Sequence, residues 1–369
     1  MFSEKLAAYD FETVKELIYS QTTEDIERVL SKSYIDDNDL PALLSPLAGA
    51  YLEEMAQRAH ELTVERFGRT IQIYAPLYLS NECGNACLYC GFSADNKGLR
   101  RRTLSPEEIR LELEAINRLG IRHILLVSGE APAKVGLDYL RRAIEIASGY
   151  ASFIGIEVYP LSVEGYRTLA EAGATGLTIY QETYDKERYA LLHKGKKADM
   201  VWRLDAPDRG GIAGLRTIGV GPLLGLSDPR TDVFFALLHA TYLTEKYWRS
   251  QITISFPRIR KAEGSAIIPI EADDKMLVQF ITAARLLLHD VGLVISTRES
   301  PALRDRLVPL GLTQMSAASV TEPGGYTEKN ISTPQFTVED ERSVEEFSAM
   351  LKHHGYEPVM KDWDGLLLR

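Results

Sequence analysis

The spacing of hydrophobic positions changes once along the chain, near residue 70, and that change predicts the architecture. Over residues 1–68 apolar side chains recur three and four apart between charges, as in Glu24 to Leu30 and Ala48 to Phe67, with no strand-like run among them. This segment is expected to be helical. From Thr70 onward, short β-rich runs alternate with amphipathic stretches, each closed by Gly or Pro. Eight runs are expected as strands: Ile71 to Leu79, His123 to Val127, Phe153 to Tyr159, Gly176 to Tyr180, Thr217 to Val220, Ile252 to Phe256, Gly292 to Ser296 and Leu312 to Ser319. Helices are expected over Val135 to Ala147, Val163 to Ala172, Asp185 to Leu192, Phe234 to Lys246, Lys275 to Leu288 and Pro301 to Val308. Another opens at Ser105-Pro106-Glu107-Glu108, which offers a capping Ser, a first-turn Pro and early acids, and ends at Leu119-Gly120.

Strict strand and helix alternation implies a parallel sheet. Eight strands in about 250 residues match a complete (β/α)8 barrel of TIM type, with a doubly wound open sheet as the second choice. The expected organisation is therefore α/β, with a helical N-terminal extension over 1–69, the barrel over 70–324 and a mixed C-terminal extension over 325–369. In such a barrel the chemistry sits on the loops that follow the strands.

Composition removes several function classes. The 42 basic and 52 acidic side chains give a net charge of -10, opposite in sign to what binding a phosphate backbone favours, so nucleic acid is not an expected partner. The one compact basic run, Arg100-Arg101-Arg102 after Lys97, reads as a solvated surface face. No window approaches the roughly 18 apolar residues of a membrane span. Met1 to Phe11 carries Glu4, Lys5 and Asp10 in place of a secretory apolar stretch, so a cytoplasmic location without membrane attachment is expected.

The three cysteines lie together in Cys83-Gly84-Asn85-Ala86-Cys87-Leu88-Tyr89-Cys90, in the loop after the first expected strand. They cannot form a disulfide framework, and clustered thiols in a reducing compartment point to metal. Three thiolates on a four-iron cube that normally takes four leave one iron open to an exchangeable ligand. A zinc site would need a fourth ligand and commonly a second distant Cys pair, which is missing. A non-enzymatic iron-sulfur electron carrier would likewise call for a fourth cysteine.

Other strand ends are polar. Glu157 sits inside the apolar run Ile156-Glu157-Val158, where a charge is costly unless paired or wetted by a cavity. Arg258 and Arg298 close the sixth and seventh strands and offer cations for an anionic group. Thr321-Glu322-Pro323-Gly324-Gly325-Tyr326 reads either as a flexible turn at the same opening or as a simple connector. Gly210-Gly211-Ile212-Ala213-Gly214 looks like a phosphate loop but precedes a strand, on the wrong face of a barrel, and is expected to be a turn. The seven histidines lack metal-ligand spacing and are expected to be structural.

Cys-x-x-x-Cys-x-aromatic-Cys is the signature of the radical S-adenosylmethionine (SAM) superfamily, which this chain resembles. With Tyr78, Ser128-Gly129-Glu130, Tyr180-Gln181-Glu182-Thr183-Tyr184, Ser255-Phe256-Pro257-Arg258 and Ser296-Thr297-Arg298-Glu299, it resembles that superfamily's aromatic amino acid lyases. The similarity runs from Leu43-Leu44-Ser45-Pro46 to Lys361-Asp362-Trp363-Asp364.

The resemblance implies a [4Fe-4S] cluster on Cys83, Cys87 and Cys90, with SAM on the open iron. It places the SAM amino group at Ser128, Gly129 and Glu130, the SAM carboxylate at Arg203, and the adenine near Tyr89, Val220 and Gly221. Glu157, Gln181 and Glu182 would face the SAM pocket. Ser296 and Arg298 would hold the substrate carboxylate, with Tyr78 beside the reacting centre. From the residues alone, Tyr89 fits packing equally well, Glu130 could end a strand at solvent, and Arg203 could be an exposed helical cation.

The implied reaction converts L-tyrosine, SAM and one electron into 2-iminoacetate, p-cresol, 5'-deoxyadenosine and methionine, in thiamine biosynthesis. Thiazole synthase would take the iminoacetate, and a flavodoxin or ferredoxin would deliver the electron. A tryptophan lyase stays open, because pocket shape sets side-chain choice. The related hydrogenase maturase carries a second, C-terminal cluster, for which this chain has no cysteine after Cys90.

Overall fold

A computed structural model of the protein describes residues 1–265 and 267–362, so Trp363 and Asp364 lie outside the described residues. All eight expected strands form: β1 Thr70–Ser80, β2 His123–Ser128, β3 Phe153–Glu157, β4 Gly176–Thr178, β5 Thr217–Val220, β6 Gln251–Ser255, β7 Gly292–Ile295 and β8 Gln314–Ser316. Each pairs in parallel with the next, and β1 pairs with both β2 and β8, which closes the barrel. Helices lie between the strands, so both faces of every strand are covered and the runs can be apolar throughout.

Several strands are shorter than the apolar runs suggested. The regular strands end at Glu157 and Thr178, but Ile179 N and Gln181 N still donate to Gly219 O and Gly221 O at 2.9 and 3.0 Å, which carries Tyr180 and Glu182 up to the barrel mouth. The pairing of β1 with β2 slips between Tyr78 and Ser80, a bulge set just before the cysteine loop.

A ninth strand, β9 Glu357–Val359, pairs with Thr70 to Gln72 of β1, below the point where β2 begins pairing at Ala75. Strand tilt in a barrel staggers neighbouring ends, and β9 covers the edge of β1 left open by that stagger. With three residues including Pro358, it carries no readable strand pattern.

The N-terminal helices are not a separate body. Phe2–Leu6, Phe11–Tyr19, Leu40–Leu44 and Leu52–Phe67 share one hydrophobic core with the barrel. Phe2 stacks on His239 of helix Pro229–Lys246 at 3.9 Å between ring centroids, and buried Asp208 accepts from Phe2 N at 3.0 Å. Covered by that layer, Pro229–Lys246 is buried on nearly every side. Among the described residues no helix is long and apolar enough to cross a membrane.

Gly210 and Gly211 correct one expectation, because they end the helix Ala206–Ile212, and Gly214, at φ +86°, forms the turn after it. A Cβ on Gly210 would stand 2.8 Å from Leu177, and one on Gly211 2.6 Å from the Tyr247 ring. Glycine is needed there for close packing.

After β8 the chain returns across the barrel mouth. Glu112 accepts from Tyr326 N at 3.0 Å and Thr327 N at 2.8 Å, so the Thr321 to Tyr326 segment is held down. Glu339 N and Asp340 N donate to Thr297 O at 3.0 and 3.2 Å. Arg304, only 1% exposed, donates to Asp340 and to Ser316 O, while Arg342 donates to the same carboxylate at 2.7 Å. These bonds fix residues 334–340 over the site. Asp340→Ala leaves Arg304 buried without its counter-charge and is expected to cost about 3–5 kcal/mol. The measurement is the urea midpoint of the metal-free protein at unchanged slope.

Candidate active site

Between Ser80 and Pro106 there is no helix or strand, yet this stretch carries all three cysteines. Its backbone is held by neighbours. Gly84 N donates to Glu130 O at 2.8 Å and Gly129 N to Ser80 O at 3.1 Å, lacing the loop to the end of β2. A Cβ on Gly129 would stand 2.3 Å from Glu82 O, so the close approach Gly129 permits is that of the cysteine loop. Asn85 donates to Glu130 Oε2 at 2.6 Å and accepts from Lys197 N at 3.1 Å.

The basic run proves to be part of this scaffold. Arg101 donates to Asn81 O, to Phe92 O at 2.9 Å and to Ser93 O at 2.7 Å, and Lys97 donates to Ala94 O at 2.8 Å. Arg102 pairs with Glu108. Backbone carbonyls of an irregular loop need donors, and guanidinium forks supply several at once, so these arginines are not a solvated face.

Cys83, Cys87 and Cys90 line one cavity together with Ser128, Gly129 and Glu130. Burial pushes the Cys87 thiol up to about 12 and the Cys90 thiol upward as well, so thiolate at neutral pH requires a bound cation. Among the described residues no three His, Cys, Asp or Glu side chains converge as ligands of a single ion. A cube presents its irons at separate corners, and an all-sulfur donor set suits it. The same cavity holds Lys197, Arg203 and the Ser128 hydroxyl, which has no partner among the described residues. Cations and an unpaired hydroxyl fit the amino acid end of SAM.

Glu182 organises those cations. Its Oε1 accepts from Lys197 Nζ at 2.6 Å and Arg203 Nη2 at 3.0 Å, and Arg203 Nε donates to Tyr180 O at 2.7 Å. Burial alone would raise its carboxyl, but Lys197 and then Arg203 outweigh that and bring it down to about 2. Its backbone is left-handed, at φ 75°, a strained state for a non-glycine residue. Buried Asp232 holds the turn by accepting from Thr183 Oγ1 at 2.9 Å and Tyr184 N at 2.8 Å. Arg203 is thus no exposed helical cation, and its Nη1 has no acceptor among the described residues.

Three expected pocket residues stand elsewhere. Tyr180 and Glu182 point into the mouth, and by alternation Gln181 points away, buried with both amide atoms unpartnered among the described residues. Val220 lines the barrel interior below the mouth, with Tyr74 and Thr253. Gly221 is a packing glycine, since its Cβ would stand 2.0 Å from Ser255 O. Tyr89 does face the mouth, beside Lys197, Pro257 and Ile259. Its hydroxyl lies 2.8 Å from His193 Nε2, and His193 Nδ1 lies 2.8 Å from Tyr189 O. A carbonyl at Nδ1 assigns the proton there, so Tyr89 donates to Nε2. Burial and Lys197 hold His193 neutral, down to about 3.

On the opposite side, Ser296 and Arg298 line a second cavity with Tyr74, Tyr78, Tyr180 and Ser255. The Arg298 guanidinium lies 3.4 Å from the centroid of Phe336 and has no acceptor among the described residues. Arg258 is different, because it is taken by Glu299, by Asp274 Oδ1 at 2.8 Å and by Ala272 O at 3.0 Å. Of the two arginines closing these strands, Arg298 is the one available. Tyr78 donates to Gln335 Oε1 at 2.7 Å. Glu157 ends β3 where the cavities meet, and burial, opposed chiefly by Arg298, raises its carboxyl to about 7. Lys197, His193, Gln335 and Phe336 escaped sequence reasoning. Lys194-Gly195-Lys196-Lys197 offered a basic cluster as a signal, whereas Gln335 and Phe336 offered none.

The Radical SAM superfamily profile matches residues 77–229, and that of the Biotin and Thiamin Synthesis associated domain matches 255–357. The chain is 45% identical to the 2-iminoacetate synthase of Escherichia coli K12, covering 100% of this chain and 98% of that protein. Identity to the 2-iminoacetate synthase of Salmonella typhimurium LT2 is 44%, with coverage of 100% and 98%. The X-ray structure of the FeFe-hydrogenase maturase HydG from Carboxydothermus hydrogenoformans matches with a TM-score of 0.91 at 32% identity, over 98% of this chain and 85% of that one. A closed barrel, a three-cysteine loop laced to β2 and full-length identity lead to one conclusion: the chain belongs to the radical SAM superfamily, whose members use a [4Fe-4S] cluster and SAM, and within it to the 2-iminoacetate synthase family.

Proposed function

We propose that this protein is a tyrosine lyase that cleaves the Cα–Cβ bond of L-tyrosine to give 2-iminoacetate and p-cresol, with release of 5'-deoxyadenosine and methionine. The observation that carries the reading is Arg298, a cation without an acceptor among the described residues, in a cavity that meets the cysteine cavity at Glu157. Cys83, Cys87 and Cys90 hold the cluster, while Ser128, Gly129, Glu130 and Arg203 hold the amino and carboxylate groups of SAM. When bound, cluster and SAM together supply a hydrogen-abstracting 5'-deoxyadenosyl radical. Arg298 and Ser296 take the tyrosine carboxylate, and Phe336 packs on the guanidinium and leaves its N–H groups without a competing acceptor among the described residues. Tyr78, tied to Gln335, walls the reacting centre. The strap at Gln335 and Phe336 covers the mouth and keeps water from reactive species.

The product serves thiamine biosynthesis, with thiazole synthase as its acceptor and a flavodoxin or ferredoxin as the electron donor, in the cytoplasm. The test is anaerobic incubation of cluster-loaded protein with SAM, reductant and each aromatic amino acid in turn. Tyrosine is expected to give p-cresol, and an indole product from tryptophan with no p-cresol from tyrosine would overturn the substrate.

Two variants separate the two carboxylate sites. Arg298→Ala is expected to keep iron content and SAM binding but abolish p-cresol, with Lys at this position giving partial rescue because charge returns without the fork. Arg203→Ala is expected to weaken SAM binding by roughly 2–5 kcal/mol and tyrosine binding far less, as measured by equilibrium dialysis of each ligand.

A further inference from the structure

We propose that Glu157 is the base that takes a proton from the substrate's ammonium group, leaving a neutral amine at the reacting centre. This rests on the reading of the protein as an amino acid lyase. The cavity of the three cysteines, the cavity of Ser296 and Arg298, and the mouth lined by Tyr89 and Lys197 share two residues, Glu157 and Gln335. Of these only Glu157 titrates. A substrate whose carboxylate sits on Arg298 and whose amine reaches toward the cysteines brings that amine to Glu157.

The surrounding groups leave this carboxylate free to act. Lys197 and Arg203 are shared with Glu182, and Glu182 is held ionised by them. Tyr74, Tyr78 and Tyr180, which face Glu157 from β1 and from beyond β4, are all pushed above the usual tyrosine value by burial and stay neutral. Glu157 itself accepts no hydrogen bond from any described residue, and its carboxyl sits near neutrality, at about 7. Arg298 is the main group pulling it down. A substrate carboxylate on Arg298 neutralises that pull, so docking the acid end of the substrate makes Glu157 a stronger base for the amine end. The transfer breaks one N–H bond of the ammonium and forms one O–H bond on Glu157. A cation and an anion become a neutral pair, and no electron moves.

Glu157→Gln keeps the shape and removes the base. In the holoenzyme it is expected to bind SAM and tyrosine within a few-fold of the parent, while kcat for p-cresol falls about 100-fold or more, the usual scale for a general base. In the parent, kcat/KM should rise with pH through about 7, where Glu157 ionises. In the variant that limb should move up toward the ionisation of the substrate amine. A second readout needs no turnover: at pH 8, tyrosine added to the oxidised, SAM-loaded enzyme should produce a carboxylic acid band in the infrared difference spectrum that Glu157→Gln lacks.

Near-parental kcat in the Gln variant, or the same band in both proteins, overturns the assignment. If the Gln variant does not hold its cluster, Glu157→Asp takes its place, expected to keep the pH limb with a lower kcat, and loss of the limb there overturns it too. Should the parent make no p-cresol but cleave another aromatic amino acid, the tyrosine reading fails, and the same comparisons on that amino acid decide Glu157.

Discussion

An irregular loop cannot hold three sulfur atoms in register by itself. Ordering each backbone unit costs about 1–2 kcal/mol, and a buried carbonyl or N–H left without a partner adds to that cost. The rest of the site depends on how the stretch between Ser80 and Pro106 meets this constraint. The end of β2 bonds it through Gly129 and Glu130, Arg101 gathers its carbonyls, and Asn85 joins it to Lys197. The C-terminal strap closes it from above, since a Cβ on Gly91, next to Cys90, would stand 2.5 Å from Gln335 O. The cysteine loop, the cavity of Arg203 and the cavity of Arg298 are therefore one mechanical unit, and the strap that completes it is anchored by the buried Arg304 and Asp340 pair.

Charge is distributed on the same plan. A protein of net charge -10 gathers Lys197, Arg203, Arg260 and Arg298 at one mouth, together with Glu157, Glu182 and Glu299. Glu182 holds two cations on the cysteine side, and Glu299 ties Arg258 and Arg260 on the outer side. Arg298 has no carboxylate partner among the described residues and rests on the Phe336 ring, which does not neutralise it. An unpaired cation in a cavity is costly, which supports the proposal that an anion binds at Arg298. The division of labour proposed for Arg203 and Arg298 rests on this difference in partners.

Much of the barrel was legible because parallel strands under helices read as apolar runs, and all eight runs became strands. Strand ends were less legible: backbone bonds to β5 run on past Thr178 before Glu182 turns left-handed, so the sequence pattern alone does not separate the inward Glu182 from the outward Gln181. Cys83, Cys87 and Cys90 were readable because a metal motif is local in sequence. Gln335 and Phe336 were not, since they reach the site by crossing the mouth from some 250 residues downstream of Tyr78, a contact of separation |i−j| = 257 with no local signature. Arg101 shows the converse error, in which charge alone suggested solvent while the carbonyls it serves lay hidden in the loop.

The proposed substrate position is between Arg298 and the cysteine loop, with the amine at Glu157. The most direct measurement is an anaerobic crystal structure of the cluster-loaded protein with SAM and L-tyrosine bound. The account predicts the tyrosine carboxylate forked onto Arg298 and Ser296, the amine within hydrogen-bond distance of Glu157, and the SAM carboxylate at Arg203. A tyrosine carboxylate on Arg203 or Arg260, or an amine turned away from Glu157 toward the barrel interior, would contradict it.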